Sequence, residues 1–419
     1  MLVDAWLPRA AARHPDRPAI NRMTYAELER EARRAARRLA ARGVREGDGV
    51  GIELPPGEPF CVALHACLLL GAVAVPIDVR LGAAERAAVG RGAASVVDGP
   101  LEGDEDPAVR LHDRHDLDAV ALVVHTSGSS GAPKPVELTY GNWLWSALGS
   151  AVALGLDPAE RWLSALPLSH VGGLSIVLRS AIGATSAIVH PGFDTARVLD
   201  ELMRPDGATV VSLVPTTLQR LLDAGLRRPP TLRWALLGGA PISPGLLGRA
   251  AAAGVPVAPT YGLTEACSQV TTNGAPLFCT TVRLAPDGEV LVSGPTVAPA
   301  AGPVLRTGDL GAWNADGALH IVGRKAETIV TGGENVAPAE VEGVLESHPA
   351  VAEAGVHGRA HPEWGEAVVA TVVLGAEASE EDLRAHCAAR LAAYKVPKAI
   401  RFAQALPRTR SGKLLRSAL

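Results

Sequence analysis

The chain has 419 residues, a formal net charge of −4, and 47% hydrophobic against 20% charged residues. That length exceeds one typical core and predicts two to four compact units, and the charge supplies no broad basic field for nucleic acid or an anionic membrane surface. No apolar run approaches a membrane span, and the N-terminal MLVDAWLPRAAARHPDRP lacks signal-peptide organisation, so membrane insertion is not expected and a cytoplasmic location is. The cysteines, Cys61, Cys67, Cys267, Cys279 and Cys387, are odd in number and form no CxxC pair, which argues for buried thiols rather than a disulfide framework or a zinc site.

Thr24 with Glu27 forms a capping box ahead of apolar positions at helical spacing, and Gly43 supplies a stop, predicting a helix over 24–42. Its Arg30, Arg33, Arg34, Arg37 and Arg38 read as a solvated face, since acidic residues interleave and no aromatic platform for bases accompanies them. The runs VGIELP (50–55), AVAVPID (72–78), AVALVVHT (119–126), ATVVSLVP (208–215) and WALLGGA (234–240) are short, β-rich and bounded by turns. With helical segments such as 61–71 and 217–225 between them, they predict βαβ layers around mostly parallel sheets, an α/β fold. From about Gly288, tight Asp-Gly and Gly-Asp turns predict antiparallel β structure, a small β-barrel-like part. A smaller α+β unit follows, with helices around 338–349 and 380–393 and a basic tail, and the boundary is placed at Gly323 to Lys325, giving units 1–323 and 324–419.

Four clusters carry chemistry. VVHTSGSSGAPKP (123–135) follows a strand and offers Thr126, Ser127, Gly128, Ser129, Ser130, Gly131 and Lys134, whose N–H and O–H donors and positive charge suit phosphate oxygens. The ordinary triphosphate loop has Gly-Lys adjacent and opens a helix; here Ala132 and Pro133 intervene and Pro135 follows, which speaks against a kinase or GTPase and leaves a plain Gly/Ser turn as the alternative. In Thr260-Tyr261-Gly262-Leu263-Thr264-Glu265, Tyr261 can stack on a base, Thr264 can bond a phosphate and Glu265 can hold Mg²⁺ as a hard oxygen ligand. Asp309 in RTGDL can accept both ribose hydroxyls with Arg324 adding a charged hydrogen bond, or it can simply close a β-turn. Lys413, in the basic tail LPRTRSGK, can reach a negative transition state or be solvated.

Together with LPLSHVGG (166–173), LLGGAPIS (236–243), VGRKAETIVTGGENVAPAEVE (322–342) and LPRTRSGKLLR, these clusters resemble, in this order and over nearly the whole chain, the adenylate-forming superfamily of acyl-CoA synthetases, luciferases and peptide-synthetase adenylation domains. The resemblance implies a large N-terminal and a small mobile C-terminal domain. It implies that Thr126 to Lys134 cradles the β- and γ-phosphates of ATP, that Ala240, Pro241, Tyr261 and Gly262 surround adenine, and that Thr264 binds the α-phosphate. Glu265 would hold Mg²⁺, Asp309 the ribose with Arg324 nearby, and Lys413 the adenylation transition state. It further implies that the C-terminal domain then rotates and presents Thr331, Gly332, Gly333 and Glu334 to the thiol of CoA. Ala326 stands where the family carries a polar hinge residue.

Within the superfamily, LPLSHVGGLSIVLRS (166–180), YGLTEACSQVTT (261–272) and TGGENVAPAEVE most resemble the o-succinylbenzoate–CoA ligases of menaquinone biosynthesis. Such an acid keeps a spectator carboxylate, for which Arg179 is the candidate cation; the alternative is an arginine packed by its stem at a helix end. His170, which is expected to shape the acyl pocket or gate the thiol rather than bind metal, can equally be a core histidine, and Gly238, Gly239 and Ser268 are expected to line the pocket. Ser169 and His125 depart from the Phe and apolar residues usual at their positions. Other aryl or fatty acids, a non-catalytic ATP/AMP-binding protein, and homo-oligomerisation stay open; a peptide-synthetase adenylation domain would sit beside a carrier domain, which the chain ending six residues after Lys413 does not show.

Overall fold

The capping box forms as expected. The Glu27 N–H donates to Thr24 Oγ1, the Thr24 N–H donates to Glu27 Oε2 at 2.8 Å, and the helix Tyr25–Ala41 follows. Leu28, Ala32, Ala35 and Leu39 turn inward, while Arg33 pairs with Glu29 at 2.7 Å on the outer side, so the arginine face is a solvated, ion-paired one. The structure is a computed structural model that describes residues 1–127, 133–408 and 414–419, apart from the side chains of Ser127 and Ser417.

The alternating strands and helices make two mostly parallel sheets. The five-stranded sheet runs Ser95–Val97, Gly49–Ile52, Val73–Pro76, Val120–Ser127, Pro133–Thr139, and only its last pair is antiparallel. The nine-stranded sheet runs Ala275–Pro276, Ser268–Thr272, Val257–Leu263, Trp234–Leu237, Val210–Leu213, Arg161–Ser164, Ser186–Val189, Pro18–Ile20, Met23–Thr24, parallel except at both ends. Neighbouring residues of one strand serve different cores, as a period of two requires: Val210 joins the cluster shared with Val50, Ile52 and Leu122 of the other sheet, and Val211 joins Leu218, Leu221 and Leu237. Sandwiched helices such as Glu58–Leu70 and Val171–Gly183 are apolar on nearly every side because both their faces are covered.

The Asp-Gly turns hold too: Gly288 and Gly317 sit at φ +81° and +74° beside the strand Glu289–Ser293 and between the strands Leu305–Trp313 and Leu319–Arg324. With Thr281–Leu284 these strands form a linear four-stranded antiparallel meander; four strands are too few to close round a filled interior, so the part expected to be barrel-like stays a sheet.

Beyond Arg324 a 3₁₀ turn, Lys325–Glu327, leads into a second α+β unit. Its five strands, Glu334–Val336, Ile329–Thr331, Gly365–Leu374, Val351–His361 and Ala399–Phe402, pack with the helices Pro338–Glu346 and Glu380–Ala388 around Val341, Leu345, Val356, Val372 and Leu383. Both helices stop earlier than the apolar pattern predicts. The first ends ahead of Pro349, whose ring disfavours helix at the preceding residue; after the second the chain turns so that Lys395 reaches Glu340 at 2.6 Å. Four cysteines are buried, but Cys279 is only half-buried. Among the described residues no helix is long and apolar enough to cross a membrane.

Candidate active site

Several of the candidate residues lie at the carboxyl ends of parallel strands, where open α/β sheets leave their crevices. Trp234–Leu237 runs into Gly238, Gly239, Ala240 and Pro241, and Val257–Leu263 carries Tyr261 and Gly262 into the 3₁₀ turn Thr264–Ala266. Val120–Ser127 delivers Thr126 and Ser127, with the exposed Lys134 cross-strand from Thr126. Gly128, Ser129, Ser130 and Gly131, like Lys413, lie outside the described residues.

Backbone crowding explains two of these glycines. A Cβ on Gly238 would stand 2.5 Å from Thr260 Oγ1, and one on Gly262 would stand 1.7 Å from the Ser268 carbonyl oxygen. Gly262 sits at a register shift where its strand pairs with Ser268–Thr272. The turn between the strands holds Cys267 and Ser268 at φ +52° and +89°, a left-handed region that non-glycine residues adopt at an energetic cost.

The meander contributes the best-defined cluster. Asp309 and Arg324 are direct cross-strand partners, with Arg324 Nε 2.7 Å from Asp309 Oδ1, and the Tyr261 hydroxyl donates to Asp309 Oδ2 at 2.7 Å. The Asp309 N–H donates to Thr307 Oγ1, whose own hydroxyl donates to the Val290 carbonyl at 2.8 Å, so the buried carboxylate is fixed from behind. Burial, then the Asp309 carboxylate, push the Tyr261 phenol above its usual range and keep it a donor. A carboxylate has about four acceptor sites, enough to accept from the vicinal hydroxyls of a ribose as well as from protein donors. Thr264 and Glu265 stand half-buried in the 3₁₀ turn, where the Glu265 carbonyl accepts from the Ala298 N–H at 2.8 Å; the Glu265 carboxylate is the candidate hard oxygen donor. That donor suits Mg²⁺ when phosphate oxygens and water complete the shell.

On the other side, His170 caps the helix Val171–Gly183, with Nε2 3.9 Å from Asp78 Oδ2. Asp78 follows the strand Val73–Pro76 and holds Arg80 at 2.9 and 2.6 Å. Burial pushes the Asp78 carboxyl up, but Arg80 and then His170 outweigh it and hold it at about 2. Arg179 does not join His170. Nine residues along a helix amount to a rise of about 13 Å and half a turn, so Arg179 faces the opposite way. There its Nη2 donates to Ser146 Oγ at 3.1 Å, its guanidinium lies 5.4 Å from the Trp162 ring, and the Ser146 hydroxyl donates to the Cys267 carbonyl at 2.7 Å. Arg179 is 8% exposed, its Nε has no hydrogen-bond partner and no carboxylate comes within ion-pair distance among the described residues. Burial brings its pKa down to about 10. Ser268 belongs to the same propped turn, so the pocket candidates form two groups rather than one.

Gly332 and Gly333 form the tip of a hairpin between Ile329–Thr331 and Glu334–Val336, at φ +59° and +85°; two positive φ values in a two-residue turn are what a type I′ turn demands. Both glycines and Glu334 are exposed. The residues that sequence reasoning passed over are Asp78, Arg80, Ser146, Trp162 and Thr307. Only Asp78, a lone carboxylate ending the apolar run AVAVPID, carried a signal in the sequence.

The model of the family described as AMP-binding enzyme matches residues 7–97 and 92–300, and that of the AMP-binding enzyme C-terminal domain matches 340–413. A 2-succinylbenzoate–CoA ligase of Bacillus licheniformis is 36% identical, with all of both chains covered. Among solved structures, o-succinylbenzoate CoA synthetase from Bacillus subtilis in complex with its acyl-adenylate intermediate superposes with a TM-score of 0.91 at 35% identity, covering 100% of this chain and 98% of that one. The same enzyme with ATP and a magnesium ion gives 0.91 at 35% identity and full coverage of both chains. With matches spanning both units and clusters assembled at the strand ends, this chain belongs to the AMP-binding family of adenylate-forming acyl-CoA ligases.

Proposed function

We propose that the protein is an ATP- and Mg²⁺-dependent acid–CoA ligase that converts o-succinylbenzoate to its CoA thioester through an acyl-adenylate, in the cytoplasm. The observation that carries the nucleotide half is the Tyr261–Asp309–Arg324 cluster, brought together from three separate sequence motifs. The full-length likeness to 2-succinylbenzoate–CoA ligases supports the choice of acid, and the buried, uncompensated Arg179 fits an acid that keeps a second carboxylate.

In the first half-reaction a carboxylate oxygen of the acid bonds to the α-phosphorus of ATP while the bond to the β-phosphate bridging oxygen breaks and pyrophosphate leaves. Tyr261 and Gly262, with Ala240 and Pro241, hold the adenine; Asp309 takes the ribose hydroxyls with Arg324 beside it, and Thr264 donates to the α-phosphate. Thr126 to Lys134 grips the departing phosphates, and Lys413 neutralises charge that develops in flight. Glu265 would hold Mg²⁺, which when bound spreads the negative charge of the phosphates. In the second half-reaction the C-terminal unit, residues 324–419, turns about the Gly323 to Lys325 boundary and brings Gly332, Gly333 and Glu334 to the thiol path. The CoA sulfur bonds to the acyl carbon, the bond from that carbon to the phosphate oxygen breaks so that AMP leaves, and the thiol proton passes to solvent. His170, beside Asp78, stands at the acyl end of that path.

The test is AMP formation that requires both acid and CoA, measured with o-succinylbenzoate beside benzoate and medium-chain fatty acids. Preference for a fatty acid would remove the assigned substrate, and no AMP with any of them would remove the ligase reading.

A further inference from the structure

From 138 to 156 the chain has no Asp, Glu, Lys or Arg, and the helix Tyr140–Leu154 lies within that stretch. A helix that is apolar on every side is expected to be covered on every side. Its inner side is covered: Ser146 donates to the Cys267 carbonyl, and Asn142 to the carbonyls of Pro295 and Val297. Its outer side is bare. Leu148 and Val152 are 40% and 62% exposed, and Leu156, just past the helix end, is 80% exposed. The helix Tyr25–Ala41 shows the ordinary arrangement, since its outer side carries the Arg33–Glu29 ion pair.

The bare side also has relief. Leu144 and Leu148, a step of four apart on one face of the helix, line a cleft of about 600 Å³ together with Leu2 and Ile182. Val152, a further step of four along, continues that face as a more exposed side chain. On the other flank Gly149 lies against Leu277 and Cys279, and the exposed Phe278 ring sits 6.2 Å from Trp145. Both signs of charge line the cleft: Asp4 and Arg114 are exposed cross-strand partners, and Arg9 donates to the Ile182 carbonyl.

A contiguous exposed apolar face marks an interaction site. A small amphiphile would fill the cleft and leave Val152, Leu156 and Phe278 in water. An anionic bilayer is met by clustered Lys and Arg, whereas this stretch runs uncharged to Asp157 and the cleft sets Asp4 beside Arg114. A second copy of the same face meets both demands, because the patch of an isologous interface must complement itself. About a two-fold axis through the middle of the helix, two antiparallel copies set the projecting Val152 of each against the hollow at Leu144 and Leu148 of the other. The same axis gives each acidic rim a basic one to face. We propose that the outer side of the helix Tyr140–Leu154, flanked by Leu2 and Phe278, is the homodimer interface of this protein. It lies behind the turn that Ser146 supports and outside the site itself, and it does not depend on which acid the enzyme activates.

Analytical ultracentrifugation of the full chain reads the mass directly, and the wild type should sediment at twice the mass of one chain at micromolar concentration. Val152→Lys, and independently Leu2→Lys from the far side of the cleft, should each raise the dimer dissociation constant by about 30-fold or more, since each sets a charge in the contact. Both side chains are at least 60% exposed in the single chain, so the far-UV circular dichroism of each variant should match the wild type. A measurement that needs no variant is amide hydrogen exchange across 148–156, which should slow as the wild-type concentration is raised. A wild type that stays at the mass of one chain up to about 100 µM would overturn the proposal. So would a dimer that either variant leaves intact, because the contact would then lie elsewhere. Vesicles of phosphatidylglycerol and phosphatidylethanolamine supply the remaining arm: vesicle binding by a monomeric wild type, abolished by Val152→Lys, gives the face to a membrane and overturns the dimer.

Discussion

The two halves of the site are built on opposite electrostatic plans. Around Asp309, the carboxylate is met by Arg324 and Tyr261 and its backbone by Thr307 before any nucleotide arrives. Around Arg179, a guanidinium is buried with a hydroxyl and an indole face and, among the described residues, no carboxylate within ion-pair distance. A prepaired site needs little reorganisation to accept ATP, which is the same in every turnover of such an enzyme. An unpaired buried cation instead favours a ligand that brings the missing charge, and on the proposed function that is where selectivity for one acid would be concentrated.

The largest expected effect tests how rigid the nucleotide half is. A methyl on Gly262 would stand 1.7 Å from a main-chain oxygen that cannot rotate away, so Gly262→Ala should destabilise the protein by about 3 kcal/mol or more. Gly239 occupies φ +79°, but a Cβ there meets only Val214 at 3.5 Å, and Gly239→Ala should cost about 1–2 kcal/mol from backbone conformation alone. Denaturant unfolding of both variants measures the difference. Similar losses would mean that the edge yields, and that the nucleotide half is not the rigid partner in the comparison.

Arg179→Ala addresses the other half. Its kcat/KM for o-succinylbenzoate should fall by about 2–4 kcal/mol in transition-state terms, with a smaller change for benzoate, which has no spectator carboxylate. Ser146→Ala is the companion: it leaves the charge, removes the hydroxyl that supports the Cys267 carbonyl and accepts from Arg179, and should cost less with o-succinylbenzoate than Arg179→Ala does. Equal effects of Arg179→Ala on the two acids would make Arg179 a prop for the Cys267–Ser268 turn and nothing more.

Burial also shifts an acidic group in the C-terminal unit, which allows the energetic premise to be checked alone. Burial raises the Glu346 carboxyl from 4.5 to about 7; Glu342 and Glu353 add to the rise, against the Ala354 N–H and Arg408. The folded protein then holds a proton that the unfolded chain has released, so stability falls as pH rises from about 4.5 to 7 and levels above it. Glu346→Gln should remove that decline and stabilise the C-terminal unit at pH 8 by on the order of 2 kcal/mol. Unfolding followed between pH 5 and 8 checks it, and an unchanged pH dependence would show that water reaches Glu346.

Local patterns in the sequence carried most of the architecture. Thr24 with Glu27, the apolar runs, the Asp-Gly turns and the two glycines of the 332–333 hairpin each state their structure within a few residues. Less legible was whatever depends on distant pairing. Nothing in Pro18–Ile20 announces that it adds to a sheet beside Ser186–Val189, or that Arg416 meets Glu342 across 74 positions. The site divides in the same way. Tyr261, Asp309 and Arg324 were recognisable because each sits in its own motif. Ser146 and Trp162 sit in ordinary helix and strand sequence and matter only through what the fold sets against Arg179.

The smallest expected effect is the most direct test of the contrast between the halves. Tyr261→Phe keeps the ring proposed to pack against adenine and removes one donor to Asp309 Oδ2. Arg324 remains on Oδ1, and a ribose hydroxyl can donate to the oxygen that Tyr261 leaves, so part of the loss is recovered when ATP binds. The KM for ATP should rise by about five- to tenfold, on the order of 1 kcal/mol, with kcat nearly unchanged. Arg179→Ala has no such recovery, because it removes the charge itself rather than one donor of several. If Tyr261→Phe costs more than Arg179→Ala does with o-succinylbenzoate, the order is inverted: the nucleotide cluster would be poised by Tyr261 rather than preassembled around Asp309, and the unpaired cation would not be where the acid is chosen.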